Sequence, residues 1–193
     1  MQQYLVLLLA GWSSGVNLYL TIALLGLSGR FGWIDLPGGL EVISHPLVIA
    51  AAIFMYVIEF VADKVPFVDS AWDAIHTFIR PSGAALMGFL AGQENGPAVQ
   101  AALAVLTGGI ALDMHTVKAS SRLAINTSPE PFSNIAASLA EDAAVIFLFW
   151  FFVKHPIIAS LIILLILIGT FFILRMLWRF VLRLFRGPQA KTA

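Results

Sequence analysis

The chain is 193 residues long, 60% hydrophobic and only 11% charged, with a mean hydropathy of +0.91 and a formal net charge of zero. These values exclude an ordinary soluble domain, which needs far more polar surface, and the lack of a basic field excludes nucleic acid as a partner. With no cysteine there is no disulfide framework, thiolate metal site or cysteine nucleophile.

A spanning helix needs about 20 mostly apolar residues. The first such stretch, about Tyr4–Leu27, follows Met1-Gln2-Gln3, which lacks the basic region of a secretory signal. It reads as a membrane helix rather than a cleaved peptide. Its Ser13, Ser14, Asn17 and Thr21, with Gly11, Gly15 and Gly26, read as helix-packing contacts. A second helix is expected over Pro46–Val61. The segments Ser70–Ala91 and Ala98–Leu123 are long enough to span but carry charge, and the first contains Pro81 and Gly83. Two full spans are expected there, with broken or re-entrant helices lining a cavity as the alternative. Ile135–Val153 and the uncharged Ile157–Leu174 complete the set. The expectation is an all-α polytopic membrane helix bundle of about six transmembrane or partly re-entrant helices. It forms one domain over residues 1–186, followed by a disordered cytoplasmic tail over 187–193.

Six spans place both termini on one side. The face bearing Lys64, Lys118, Arg122, Arg175, Arg179, Arg183, Arg186 and Lys191 should be cytoplasmic, against Arg30 and Lys154 on the other. An inner (cytoplasmic) membrane location follows. The stripe Arg175, Arg179, Arg183, Arg186 serves as a stop-transfer anchor and as a place for anionic lipid, at ~1 kcal/mol per basic residue. Three spans per half is the arithmetic of two inverted halves. The dipeptides His45-Pro46, His76-Thr77, His115-Thr116 and His155-Pro156 hint at such symmetry, though they occur in mirror order.

Ionisable residues recur at helical spacing on the striped segments. Asp69, Asp73, His76 and Arg80 share one face, His115, Lys118 and Arg122 a second, and Asn134, Ser138 and Glu141 a third. Charge at the bilayer centre is costly, so these faces should meet one another or a wet cavity. Glu59 and Asp63, with Tyr56, share a face at the end of the second helix. Asp69-Ser70 makes an N-cap after Lys64-Val65-Pro66, a role that competes with a site role for Asp69. Arg80 requires a carboxylate, with Glu59, Glu141 and Asp142 as candidates. The Pro-rich turn through Glu130 to Asn134 opens the fifth helix, and its free N–H groups beside Lys118 and Arg122 form a candidate anion site. Asp113 sits on the opposite face from His115, for another helix or for a local bridge to Lys118.

Three functions fit these residues. The first is a small transporter or channel, proton- or cation-coupled, with a polar site open toward the cytoplasm. The second is a lipid-phosphate-handling protein, a flippase or metal-dependent enzyme, holding a head group on Arg80, Lys118 and Arg122. The third is a scaffold subunit whose network sets helix register. A divalent metal on Asp69, Asp73, His76 and Glu141, with His115 nearby, is a further candidate, although no tight ligand motif is present. A homo-oligomer is compatible with all three.

The run from Glu59 through Asp63-Lys64-Val65-Pro66, Asp69, Trp72-Asp73 and His76-Thr77 to Arg80-Pro81, followed by Ser128-Pro129-Glu130-Pro131-Phe132-Ser133-Asn134 and Glu141-Asp142, resembles a bacterial integral membrane family known as a domain of unknown function, number four-one-two-six. The resemblance covers most of the chain. It implies a polytopic inner-membrane protein whose recognisable positions coincide with the stripes, and it carries no activity with it.

Overall fold

The computed structural model describes residues 2–127 and 131–185. Glu130 and the tail expected over 187–193 lie outside the described residues. The helices are α1 (Gln2–Val16), α2 (Leu18–Arg30), α3 (Pro46–Ala62), α4 (Val68–Ala91), α5 (Pro97–Ile125), α6 (Pro131–Lys154) and α7 (Pro156–Phe185), with short 3-10 turns at Gly38–Ser44 and Gln93–Asn95. No strand occurs among the described residues. The all-α helix bundle is therefore the fold.

The expected first span is not one helix. Asn17 breaks it, with extended backbone at φ −152° and ψ 101°, and its side-chain oxygen accepts the Leu20 N–H at 2.9 Å to cap α2. Asn is among the best residues for that role, because a short side-chain oxygen satisfies an orphan N–H at a helix start. The direction of each piece follows from its neighbours. At the start of α1, Tyr4 accepts a hydrogen bond from Asn95 at 2.7 Å. Further along, Gly11 abuts Thr107 and Ile110, and Gly15 abuts Ala111 and Met114, so α1 runs parallel to α5. α2 returns: Gly26 abuts Ile43 and Ile49, and Gly29 abuts Leu36 and Ser44. Gly38 in that connection packs on Leu90 and Ala91 at the end of α4. The α1–α2 pair is thus a V that enters and leaves at the end of the bundle holding Asn95, with Asn17 at its apex.

From there α3 to α7 traverse the bundle in alternating directions between this Asn95 end and the opposite Asn126 end. The start of α1 and the end of α7 consequently lie at opposite ends of the bundle. Re-entrance was expected, if anywhere, in 70–91 and 98–123; both are continuous helices, and α4 runs through Pro81 and Gly83. Small residues let these helices approach closely. A Cβ on Gly108 would stand 3.0 Å from the Pro81 carbonyl oxygen, and one on Gly83 2.8 Å from Leu18. The two His-Pro dipeptides open α3 and α7, which run the same way, whereas inverted copies would run oppositely.

Among the described residues, three helices are long and apolar enough to cross a membrane (Pro97–Ile125, Phe132–Lys154 and Pro156–Met176), and a fourth when Gly38–Ser44 is joined to α3 across its 66° bend. α4 has 24 residues, enough length, but its polar face lowers its hydropathy. Burial is inverted relative to a soluble protein. α1 is enclosed on nearly every side, with Val6, Leu9 and Ala10 inaccessible, as befits a helix that is apolar all round. Phe54, Phe78, Val105, Phe147, Leu165 and Phe172 face outward, a surface suited to lipid.

Candidate functional site

All the polar faces converge at the apex of the V. α3 and α5 contribute residues from their second halves, α4 and α6 from their starts as far as their middles, so the acids and bases collect toward the Asn126 end. Glu59, Asp69, Arg80, Arg122 and Asn134 are wholly inaccessible. The site is enclosed rather than an open, wet pocket.

Arg80 is the inner anchor. One guanidinium nitrogen, Nη2, meets Glu59 at 2.6 Å and Asp73 at 3.2 Å. The other, Nη1, donates to His115 Nδ1 at 2.8 Å and to the Gly15 carbonyl at 3.2 Å. Arginine has no acceptor, so His115 Nδ1 must offer its lone pair. The proton then sits on Nε2, which faces Thr77 Oγ1 at 3.0 Å and the Asp73 carbonyl at 3.1 Å. Thr77 donates its own hydroxyl to that carbonyl and is free to accept. His115 is therefore a neutral, tautomer-locked link between α5 and α4.

Lys118 forms the centre of the site. Its ammonium meets Asp63 at 2.6 Å, Glu141 at 3.5 Å and Glu59 at 3.9 Å, and donates to the Val16 carbonyl at 3.0 Å. One turn on, Arg122 holds Glu141 at 2.5 Å, lies 3.9 Å from Asp63, and donates to the carbonyls of Asp63 and Asn134 at 3.1 Å each. The break at Asn17 matters here: it leaves Gly15 and Val16 at a helix C-terminus, where carbonyls lack intrahelical partners and carry the negative end of the dipole. Both point at cations.

A polar rim surrounds this core. Asp142 accepts from Asn17 at 3.2 Å and from Tyr56 at 3.3 Å, so the adjacent Glu141 and Asp142 serve different partners. Asp69 accepts from Asn126 at 2.9 and 3.1 Å, and Asn126 accepts in turn from Asn134 at 2.9 Å. Lys64, in the turn after α3, donates to Ser138 and the Phe60 carbonyl, and burial lowers its pKa below the ordinary lysine value.

Several expectations need correction in detail. Arg80 takes Glu59 and Asp73 rather than Glu141 or Asp142, because α6 enters the cluster at the level of Arg122. Asp69 does not cap α4; Phe67 precedes the helix with no side-chain cap, at φ +68°, and Asp69 instead accepts its neighbour's N–H, Ser70, at 2.7 Å. His76 looks away from the core. Its Nδ1 donates to the Trp72 carbonyl at 2.8 Å and its Nε2 meets Tyr19 at 3.2 Å. Asp113 finds α7, accepting from Thr170 at 2.6 Å, and not Lys118. Among the described residues no three His, Asp or Glu side chains are grouped to hold a metal ion, so Asp69, Asp73, His76 and Glu141 do not form one ligand set. Residues that periodicity missed are Asn17, Lys64 and Asn126, together with the backbone at Gly15 and Val16. The Ser13-Ser14-Gly15-Val16-Asn17 run was the available signal, since a capping residue inside an apolar stretch marks a possible helix start.

No curated protein and no solved structure matches the chain. A family model described as a domain of unknown function does, over residues 5–176, a range that takes in the V and every charged residue of the core just described. The chain belongs to that family, DUF4126.

Proposed function

We propose that this protein is a small membrane transporter or channel for protons or other cations, operating at the apex of the α1–α2 V. The observation that carries the reading is the broken helix, whose freed carbonyls at Gly15 and Val16 accept from the buried cations Arg80 and Lys118, which an enclosed set of acids also holds. Discontinuous helices that present backbone to ions are a recurring device of membrane transport. Charge balance supports the sign of the substrate. Six acids (Glu59, Asp63, Asp69, Asp73, Glu141, Asp142) stand with four bases (Lys64, Arg80, Lys118, Arg122), so the cluster has anionic places to spare.

The phosphate-binding alternative is weaker. Each of Arg80, Lys118 and Arg122 already holds a carboxylate, which a head group would have to displace. The scaffold reading draws on that same pairing: a network of this density fixes helix register whether or not ions move through it. For orientation, Lys64, Lys118, Arg122, Arg175 and Arg179 lie toward the Asn126 end and Arg30 and Lys154 toward the other. The positive-inside argument then makes the Asn126 end cytoplasmic in an inner membrane. Arg175 and Arg179 are exposed there and offer anionic lipid a contact; the Arg183 and Arg186 side chains lie outside the described residues.

Purified protein in liposomes should dissipate an imposed proton, K+ or Na+ gradient. Asp73→Asn and Glu141→Gln should each slow that flux at least about tenfold, the effect of losing about 1.4 kcal/mol, while the melting temperature stays close to wild type. Vesicles no leakier than empty ones would refute the transport reading. Unfolding of both variants in detergent would favour the scaffold.

A further inference from the structure

Lys118 is surrounded in an unusual way for a lysine. Four oxygens from three separate helices converge on its ammonium: Asp63 Oδ2 and Glu59 Oε1 of α3, Glu141 Oε2 of α6 and the Val16 carbonyl of α1, at 2.6, 3.9, 3.5 and 3.0 Å. The ammonium is the fifth helix's contribution to a cage that the others build. Two features indicate that the cage has a ligand of its own. The Val16 carbonyl is available only because α1 stops there. In addition, Glu59 is wholly buried, and its second oxygen accepts no hydrogen bond from the described residues; the second oxygen of Asp63 is in the same state. Unsatisfied buried carboxylate oxygens are costly, and an ammonium with three N–H donors cannot serve the four oxygens around it and these two as well, whereas a bare cation has no fixed number of donors.

We propose that Lys118 is a tethered cation: its ammonium occupies a site for a free monovalent cation formed by Glu59, Asp63, Glu141 and the Val16 carbonyl, and a free cation enters by displacing it. The inference rests on the transport reading and names its substrate class. An ammonium and a large alkali ion carry the same single charge and accept loosely arranged oxygens. The spread of distances here suits that class. Mg2+ demands six oxygens near 2.1 Å and Ca2+ six to eight at 2.3–2.6 Å, which this set does not approach. Arg80 and Arg122, bound to the same acids, add repulsion that weighs twice as heavily on a divalent ion. The tether explains how a strongly acidic site stays closed without an ion. Lys118 neutralises it at a high effective concentration, and a free ion that wins the place releases the end of α5.

The experiment compares the full-length wild type with Lys118→Ala in detergent micelles, reading the melting temperature in choline chloride and then in K+, Na+ or methylammonium chloride at constant ionic strength. In choline the variant should melt well below wild type. It should recover saturably, by several degrees, in at least one of the small monovalent salts, while wild type moves much less because its own ammonium competes. No recovery, recovery only in Mg2+ or Ca2+, or an equal shift in wild type would each overturn the proposal. Should Lys118→Ala fail to fold, wild type alone decides. Reductive methylation of Lys118, read by mass spectrometry against Lys64 and Lys154, should be several-fold greater in K+ than in choline, and equal labelling overturns the idea. The two readings fail separately. Proton flux without cation binding preserves transport and removes the tethered-cation site; cation binding without flux does the reverse.

Discussion

Arg80 carries its charge with no exposed atom, and its partners are Asp73 two turns earlier on its own helix and three groups from distant parts of the chain: Glu59, His115 and the Gly15 carbonyl. Taking two charges out of water costs several kcal/mol per ion, so such a pair contributes little net stability, yet removing one partner strands the other. Arg80→Ala should therefore destabilise the protein by about 3–5 kcal/mol, measured as the loss of unfolding free energy in detergent. Combining it with Glu59→Leu should recover part of that loss, because the stranded carboxylate is gone; a double variant as weak as the sum of the two singles would show that the pair is not coupled. The faces of these residues were legible in the sequence. Helical spacing alone placed Asp73 with Arg80, and Lys118 with Arg122, on common stripes. The choice of partner was not, since it depends on how far along its axis each helix enters the cluster, and that is set by tertiary packing between helices.

At the scale of the element, the V is the part of the fold that periodicity could not resolve. Its two arms are equally apolar, and a hydrophobic pattern does not distinguish a straight span from a bent one. The information was held in a single residue, Asn17, which caps α2 and also donates to Asp142. Asn17→Ala removes both interactions. The cap is worth about 1 kcal/mol and the bond to a charged acceptor about 1.5–3 kcal/mol, so the variant should melt several degrees lower. It should also lose ion flux if the freed carbonyls of Gly15 and Val16 matter. Full flux in Asn17→Ala would detach transport from the break. By contrast α6 and α7 were read correctly from composition, because the apolar run after Asp142 in α6 and the uncharged run Ile157–Leu174 in α7 leave few alternatives. α5 is long and apolar enough to cross a membrane, and α4 is one continuous helix although Pro81 suggested an interruption; it packs closely against α5 and Leu18 there.

For the whole molecule, the arrangement of helix ends makes a prediction about sidedness. The chain has no cysteine, so single introduced cysteines report without background. Gln3→Cys, Trp33→Cys and Glu94→Cys should react with an impermeant maleimide from one side of the membrane, and Val65→Cys and Thr127→Cys only from the other. Labelling of Gln3→Cys together with Thr127→Cys would restore a first helix that crosses. The V also has a consequence for biogenesis. α1 leaves the ribosome before its neighbours but is enclosed by α4, α5, α6 and α7, none of which yet exists when it emerges. It can therefore be enclosed only after those later segments have been made. Because α1 supplies the Gly15 and Val16 carbonyls, the ion-pair core is incomplete until α1 and the later helices have come together.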